Sequence, residues 1–224
     1  MTLQHKNRSE TQSGFLLQSG NVLGGSLLFS GQTISGQTVC SGVGSVLGQA
    51  NGGSVTIAVT QTAQTANLTG TAATDFSSMN GNYSILASGC GKTEAGTWTA
   101  TRVSPLTGTF SAQFTSTQSS SLVFNVTGTL TQGKNKGNSF ATISGSMTST
   151  DAPCFTSASI SGVISGTAVV LNISNSTGSL GKYSGTAATD ASEITGGYSF
   201  SNAQTPSGCN DEGKANFTIN PSSG

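Results

Sequence analysis

The sequence predicts an all-β protein of two tandem, homologous antiparallel meander domains. Each is expected to be an up-and-down β-barrel of about eight strands, with a β-sandwich as the alternative. Three observations carry this expectation: an internal duplication, apolar residues alternating with period two, and Gly recurring in phase with them. The duplication is the most specific. The segment GTAATDFSSMNGNYSI (70–85) returns as GTAATDASEITGGYSF (185–200). Val55, Ile57 and Val59 align with Val169, Leu171 and Ile173, Cys40 with Cys154, Cys90 with Cys209, and Gly96 with Gly213. Self-similarity at a fixed offset is the signature of repeated structural units.

The alternation appears in Phe110/Ala112/Phe114, Leu122/Phe124/Val126, Val55/Ile57/Val59 and Ile194/Gly196/Tyr198/Phe200. Ser, Thr and Asn fill the positions between, so one strand face is apolar and the other is wet, as antiparallel sheets allow. Apolar-x-Gly triplets recur in both halves, among them Leu68-Thr69-Gly70, Met79-Asn80-Gly81, Tyr183-Ser184-Gly185 and Ile194-Thr195-Gly196. An inward Gly gives up packing, and strongly coiled barrel strands are where that loss has a steric use.

Residues 1–13 read as a polar tail, 14–104 as the first repeat and 105–224 as the second. Ser26–Gly31 is taken as the counterpart of Phe140–Gly145, which leaves too little chain before it. The first repeat is therefore expected to lack about one strand, with the natural start upstream of Met1.

Charge is scarce. Lys and Arg number 8, Asp and Glu 8, and net charge is zero, whereas Ser and Thr number 70. A neutral surface offers no electrostatic footprint for nucleic acid or anionic lipid. No run approaches the ~20 apolar residues of a membrane helix, so no transmembrane helix is expected. Two cysteines fall in each repeat at matching places, so intra-repeat bonds Cys40–Cys90 and Cys154–Cys209 are the simplest pairing. Closing a loop of that length contributes roughly 4 kcal/mol on the chain-entropy account. Disulfides place the protein in an oxidising, extracytoplasmic compartment.

Catalytic, cofactor and metal residues are not expected. The sole histidine, His5, lies in the polar tail, away from any folded site that a Ser-His-Asp arrangement would need. Asp75 and Asp190 hold equivalent positions, but an Asx turn before Ser accounts for them. Glu94 has no evident counterpart, and Asp211-Glu212 reads as loop. Gly89-Cys90-Gly91-Lys92-Thr93 ends like a phosphate loop but lacks its first Gly, position 86 being Leu. Zinc is disfavoured because no C-x₂-C pair exists. Thr97-Trp98-Thr99-Ala100-Thr101 and similar ladders suit the wet side of a strand rather than a flat ice-binding plane. The candidate ligand-pocket residues are Trp98, Tyr83 and Tyr198. The two tyrosines are in phase with core positions, and Trp98 aligns with Ala215.

The order Leu68-Thr69-Gly70-Thr71, Met79-Asn80-Gly81-Asn82-Tyr83, Gly89-Cys90 and Gly96-Thr97-Trp98, with its second-repeat partners, resembles uncharacterised Ser/Thr/Gly-rich lipoproteins of soil bacteria. The resemblance implies a secreted or lipid-anchored location and no activity. The expected function is a non-enzymatic extracytoplasmic or cell-surface β-repeat protein with a structural or adhesive role. A barrel that binds a small apolar or glycan ligand is one alternative. Assembly by strand exchange at an unpaired edge of the first repeat is another.

Overall fold

The structure, a computed structural model, describes residues 1–5, 8–29, 33–34, 37–38, 41–62, 64–87, 93–119, 122–135, 137–201 and 210–222. Every regular element among them is a strand. The first half holds β1 (Thr2–His5), β2 (Arg8–Ser19), β3 (Val22–Phe29), β4 (Thr33–Ile34), β5 (Gln37–Thr38), β6 (Gly42–Asn51), β7 (Ser54–Thr60), β8 (Gln64–Ala72), β9 (Ser78–Ala87) and β10 (Glu94–Thr101). The second half holds β11 (Gly108–Ser116), β12 (Val123–Gln132), β13 (Ala141–Thr148), β14 (Ser157–Ser165), β15 (Ala168–Asn175), β16 (Gly178–Ala187), β17 (Glu193–Phe200) and β18 (Asp211–Pro221). Each half closes into an eight-stranded antiparallel barrel, β1-β10-β9-β8-β7-β6-β3-β2 and β11 through β18 in order; β4 and β5 form a separate two-stranded ribbon. The compact units are Met1–Arg102 with Asn135–Phe140, and Val103–Lys134 with Ala141–Gly224.

Period-two patterning makes these strands. Along β11 every second residue, from Gly108 to Ser116, is buried and the residues between are exposed. Closure into a barrel leaves no open edge, which is how such sheets avoid pairing with other chains. Tight hairpins join neighbours. Between β6 and β7, Gly52 and Gly53 both adopt positive φ (56° and 89°), as a two-residue turn matched to strand twist requires.

Two expectations for the first repeat are corrected. The supposed polar tail is β1 and the beginning of β2. Thr2–Gln4 pair with Thr97–Thr99 of β10, and Thr2–His5 pair with Arg8–Thr11 of β2. No strand is missing, and the edge on which strand exchange depended is paired. The segment hid itself because its inward positions are Leu3, Glu10 and Gln12, so alternation of hydropathy fails while alternation of burial holds. The alignment before the first cysteine also shifts. Leu27 faces Gly44, and Met147 faces Ala158, so Leu23–Leu27 corresponds to Ile143–Met147 and not to the vicinity of Phe140. The connection between these strands is six residues longer in the first barrel.

The inward glycines hold neighbouring backbones close. Gly70 lies opposite Gly81, and Gly185 opposite Gly196. A Cβ at Gly81 would strike Thr69 O and Gly70 Cα, and one at Gly196 would strike Ser184 O and Gly185 Cα. The gap above each pair is crossed by one aromatic side chain. In the first barrel Trp98 of β10 passes β9 and donates from Nε1 to Thr69 O on β8, at 3.1 Å. In the second, Tyr183 of β16 passes β17 and its hydroxyl donates to Ala215 O on β18, at 3.2 Å. Ala215 occupies the place of Trp98, and Leu68 that of Tyr183. The same span is bridged from opposite sides.

Candidate functional site

The residues proposed as pocket lining, Trp98, Tyr83 and Tyr198, are 1%, 3% and 4% exposed. Each sits inside its barrel with its polar atom bonded. The Tyr83 hydroxyl donates to Glu94 Oε1. The Tyr198 hydroxyl donates to Asp211 Oδ2 at 2.5 Å, while Ser116 Oγ donates to Asp211 Oδ1 at 2.5 Å. Burial, followed by the hydrogen bond and charge of Asp211, holds the Tyr198 hydroxyl well above the usual tyrosine value. Burial alone does so for Tyr183.

These bonds overturn the reading of Glu94 as lacking a counterpart and of Asp211 as loop. Glu94 opens β10 and Asp211 opens β18. Gly96 faces Tyr83 as Gly213 faces Tyr198, so the carboxylates are equivalent and each ties its strand to the tyrosine on the neighbouring one. The signal was present in Glu94-Ala95-Gly96 and Asp211-Glu212-Gly213, a carboxylate two residues before a matched Gly. It was obscured by the different distances from Cys90 and Cys209.

Asp75 and Asp190 are turn residues, as expected. Asp75 Oδ1 accepts from Ser77 N and Asp190 Oδ1 from Ser192 N, both at 3.0 Å. Those backbone donors hold both carboxyls below the usual aspartate value. The following residues, Phe76 and Ala191, take positive φ of 53° and 61°, a conformation that is uncommon for residues with a side chain. The repeated GTAATD motif therefore encodes one particular turn twice. His5 lies on β1, its Nδ1 2.7 Å from Ala95 O. Among the described residues, no group of three or more His, Cys, Asp or Glu is placed to hold a metal. Among the same described residues, no helix is long and apolar enough to cross a membrane.

Cys154 is half-buried in the connection between β13 and β14. Cys40, Cys90 and Cys209 lie outside the described residues. The strand order fixes where their connections begin and end. β3 and β9 run in the same direction and finish at the same end of the first barrel, and β13 and β17 do so in the second.

The two barrels differ at that end. In the second it is packed with rings: Phe114 stacks on Phe124 with centroids 4.9 Å apart and meets Tyr198 at 5.0 Å, and Phe155 closes over Phe124 and Phe200 at 6.3 Å from each. In the first, register places Leu3 at the Phe114 position, Glu10 at Phe124, Gln12 at Val126 and Ile85 at Phe200. Glu10 is 4% and Gln12 1% exposed. Sequence reasoning missed both by assigning them to a tail.

A concavity lies on the outside of the second barrel. It is a shallow groove of about 500 Å³ whose rim carries the outward side chains of Thr109, Ser111, Thr127, Thr129, Ser146 and Thr148, with Phe110, Gly128, Met147 and Asn220 completing a lining that is mostly apolar. Thr109 lies across from Thr129 and Thr129 from Ser146; Ser111 lies across from Thr127 and Thr127 from Thr148. The hydroxyls thus form two rows across β11, β12 and β13, and no charged side chain lines the groove. No protein-family model, curated protein or solved structure matches this chain.

Proposed function

We propose that this chain is a non-enzymatic, extracytoplasmic β-repeat protein with an adhesive role, and that its contact face is the hydroxyl-lined groove of the second barrel. The groove is the observation that carries the reading. Its rim offers hydroxyls without charge over a lining that is mostly apolar, which suits the hydroxyls and C–H faces of a neutral polyhydroxylated polymer, and the closed sheet beneath it is a rigid support. Export is supported by the equivalent cysteines and by the strand directions, since in each barrel the two strands that precede the cysteines finish at one end. The resemblance to secreted lipoproteins agrees with it.

Co-sedimentation with insoluble neutral polysaccharides such as cellulose, chitin and xylan tests this reading. The protein is expected in the pellet with at least one of them, Thr129→Lys is expected in the supernatant, and no soluble sugar is released. The absence of any binding, equal binding by Thr129→Lys, or release of reducing ends would each overturn it. For location, peptides from the unreduced protein should contain Cys40–Cys90 and Cys154–Cys209. Free thiols or a Cys40–Cys154 link would remove the argument for export.

A further inference from the structure

Five aliphatic side chains stand on the outside of the first barrel where β2, β3 and β6 lie side by side: Leu17, Val22, Leu28, Val43 and Leu47. They are 39% to 69% exposed, Leu47 the most. Leu17, Gly24 and Leu47 form one row across the three strands, and Leu28 stands opposite Val43 in another. A lone surface leucine needs no explanation, whereas a set gathered on one face does.

The second barrel supplies the comparison. Register sets Leu17 at Thr131, Val22 at Thr142, Leu28 at Thr148, Val43 at Ser157 and Leu47 at Ser161. All five counterparts are exposed hydroxyl residues. The core gives no reason for the change, because the inward neighbours stay apolar, as at Leu23 and Ile143 or Leu27 and Met147. Hydroxyls suit a face turned to water, and five aliphatic replacements suit one that is covered. Asn135–Phe140, part of the same compact unit as the first barrel, reaches the β2–β3 side, where Ser26 Oγ donates to Gly137 O at 2.7 Å. With that segment in place, Val43 and Leu47 on β6 are still exposed.

We propose that this face joins two copies of the chain in a two-fold dimer, sheet against sheet. Shape, charge and area select a second copy. A Cβ on Gly24 would meet nothing nearer than Val46 O at 3.9 Å, so the row is a hollow between two leucine knobs. A two-fold contact needs one patch that carries both halves of its own fit, and Leu47 of one copy fits over Gly24 of the other. Residues 13–19, 22–28 and 43–49 contain no Lys, Arg, Asp or Glu, so identical faces meet without repulsion, as the charge-poor core of an interface requires. The five side chains leave on the order of 400 Å² of apolar surface in water, a scale at which a patch on a single chain is often functional. The exposed Ser45 and Gln49 beside them extend the face towards the roughly 800 Å² per partner of a stable interface. The contact is between faces, because a closed barrel offers no free edge.

The test is sedimentation velocity of the intact chain from about 1 to 100 µM, the range that a modest interface spans. A species of twice the 22.3 kDa chain mass is expected. The Val43→Ser/Leu47→Ser variant copies the residues of the second barrel, so it should fold, as unchanged Trp98 fluorescence would report, and associate at least tenfold more weakly. Leu47→Lys, one charge at an exposed position, should be monomeric. Val163→Ser, which removes an exposed apolar side chain of the second barrel, should dimerise as the parent does, and so should Thr129→Lys in the groove. Three outcomes would overturn the proposal: a parent chain that stays monomeric at the highest concentration, a dimer equally tight in the folded double variant, or masses beyond a dimer, which mean a head-to-tail contact.

Discussion

Replacing Gln12 by Met isolates the energetic cost of the orphaned amide. Met is unbranched and of similar length, so the volume is nearly conserved and the backbone need not move. What changes is the burial of two unpaired polar atoms in a side chain that is 1% exposed. Protein data put the cost of an unpaired buried polar group at about 1–3 kcal/mol. Gln12→Met should therefore be more stable than the parent by about 1–3 kcal/mol. The chain contains a single Trp, Trp98, buried in the first barrel, so its fluorescence in a urea titration follows that barrel alone. The midpoint should rise with the slope unchanged, and the thermal transition should rise by about 4–8 °C per kcal/mol for a domain of this size. A fall in stability of more than about 1 kcal/mol, the ordinary cost of losing a satisfied hydrogen bond, would refute the reasoning, because it would mean the amide is paired.

Other outcomes follow from the same structure. Gly81→Ala forces a methyl group into Thr69 O and Gly70 Cα and should cost about 3 kcal/mol, the upper end for overpacking against backbone, read by Trp98 fluorescence. Tyr183 and Tyr198 have hydroxyls held above the ordinary value of 10, so ultraviolet titration should leave at least these two of the three tyrosines protonated well beyond pH 10. Because the folded values are raised, their contribution to stability is complete below pH 10 and declines as pH climbs towards the folded values. Asp75 and Asp190 have depressed values. Their contribution is present above the unfolded value of 3.8 and is lost as pH falls through the folded ones, and NMR titration should place both midpoints below 3.8.

Much of the architecture was legible because the wet and dry faces of most strands are chemically distinct. Leu122, Phe124 and Val126 against Val123 and Asn125 announce one strand, and the shared GTAATD turn announces its repetition. The failures share a cause. Where an inward residue is polar, as at Glu10 and Gln12, hydropathy no longer tracks direction, and a strand passes for a tail. Where connections differ in length, as before Glu94 and Asp211, alignment by spacing separates residues that the sheet register brings into equivalence. The Tyr–carboxylate ties depend on which residues stand opposite one another across a ladder, and linear order does not carry that information. The groove is equally remote from sequence, since its rows collect hydroxyls from three strands that look alike one at a time.

The aromatic bridge over each glycine pair has an evolutionary consequence. A graft of β18 in place of β10 would set Ala beside Leu68 and leave the span empty. The reverse graft would crowd an indole against the phenol of Tyr183. The twin halves thus differ by matched exchanges that disfavour swapping single strands, and an exchange between them keeps the match only when β8–β10 or β16–β18 moves as a block. Descended from one ancestor, the halves are no longer interchangeable parts, which leaves each free to acquire a task of its own.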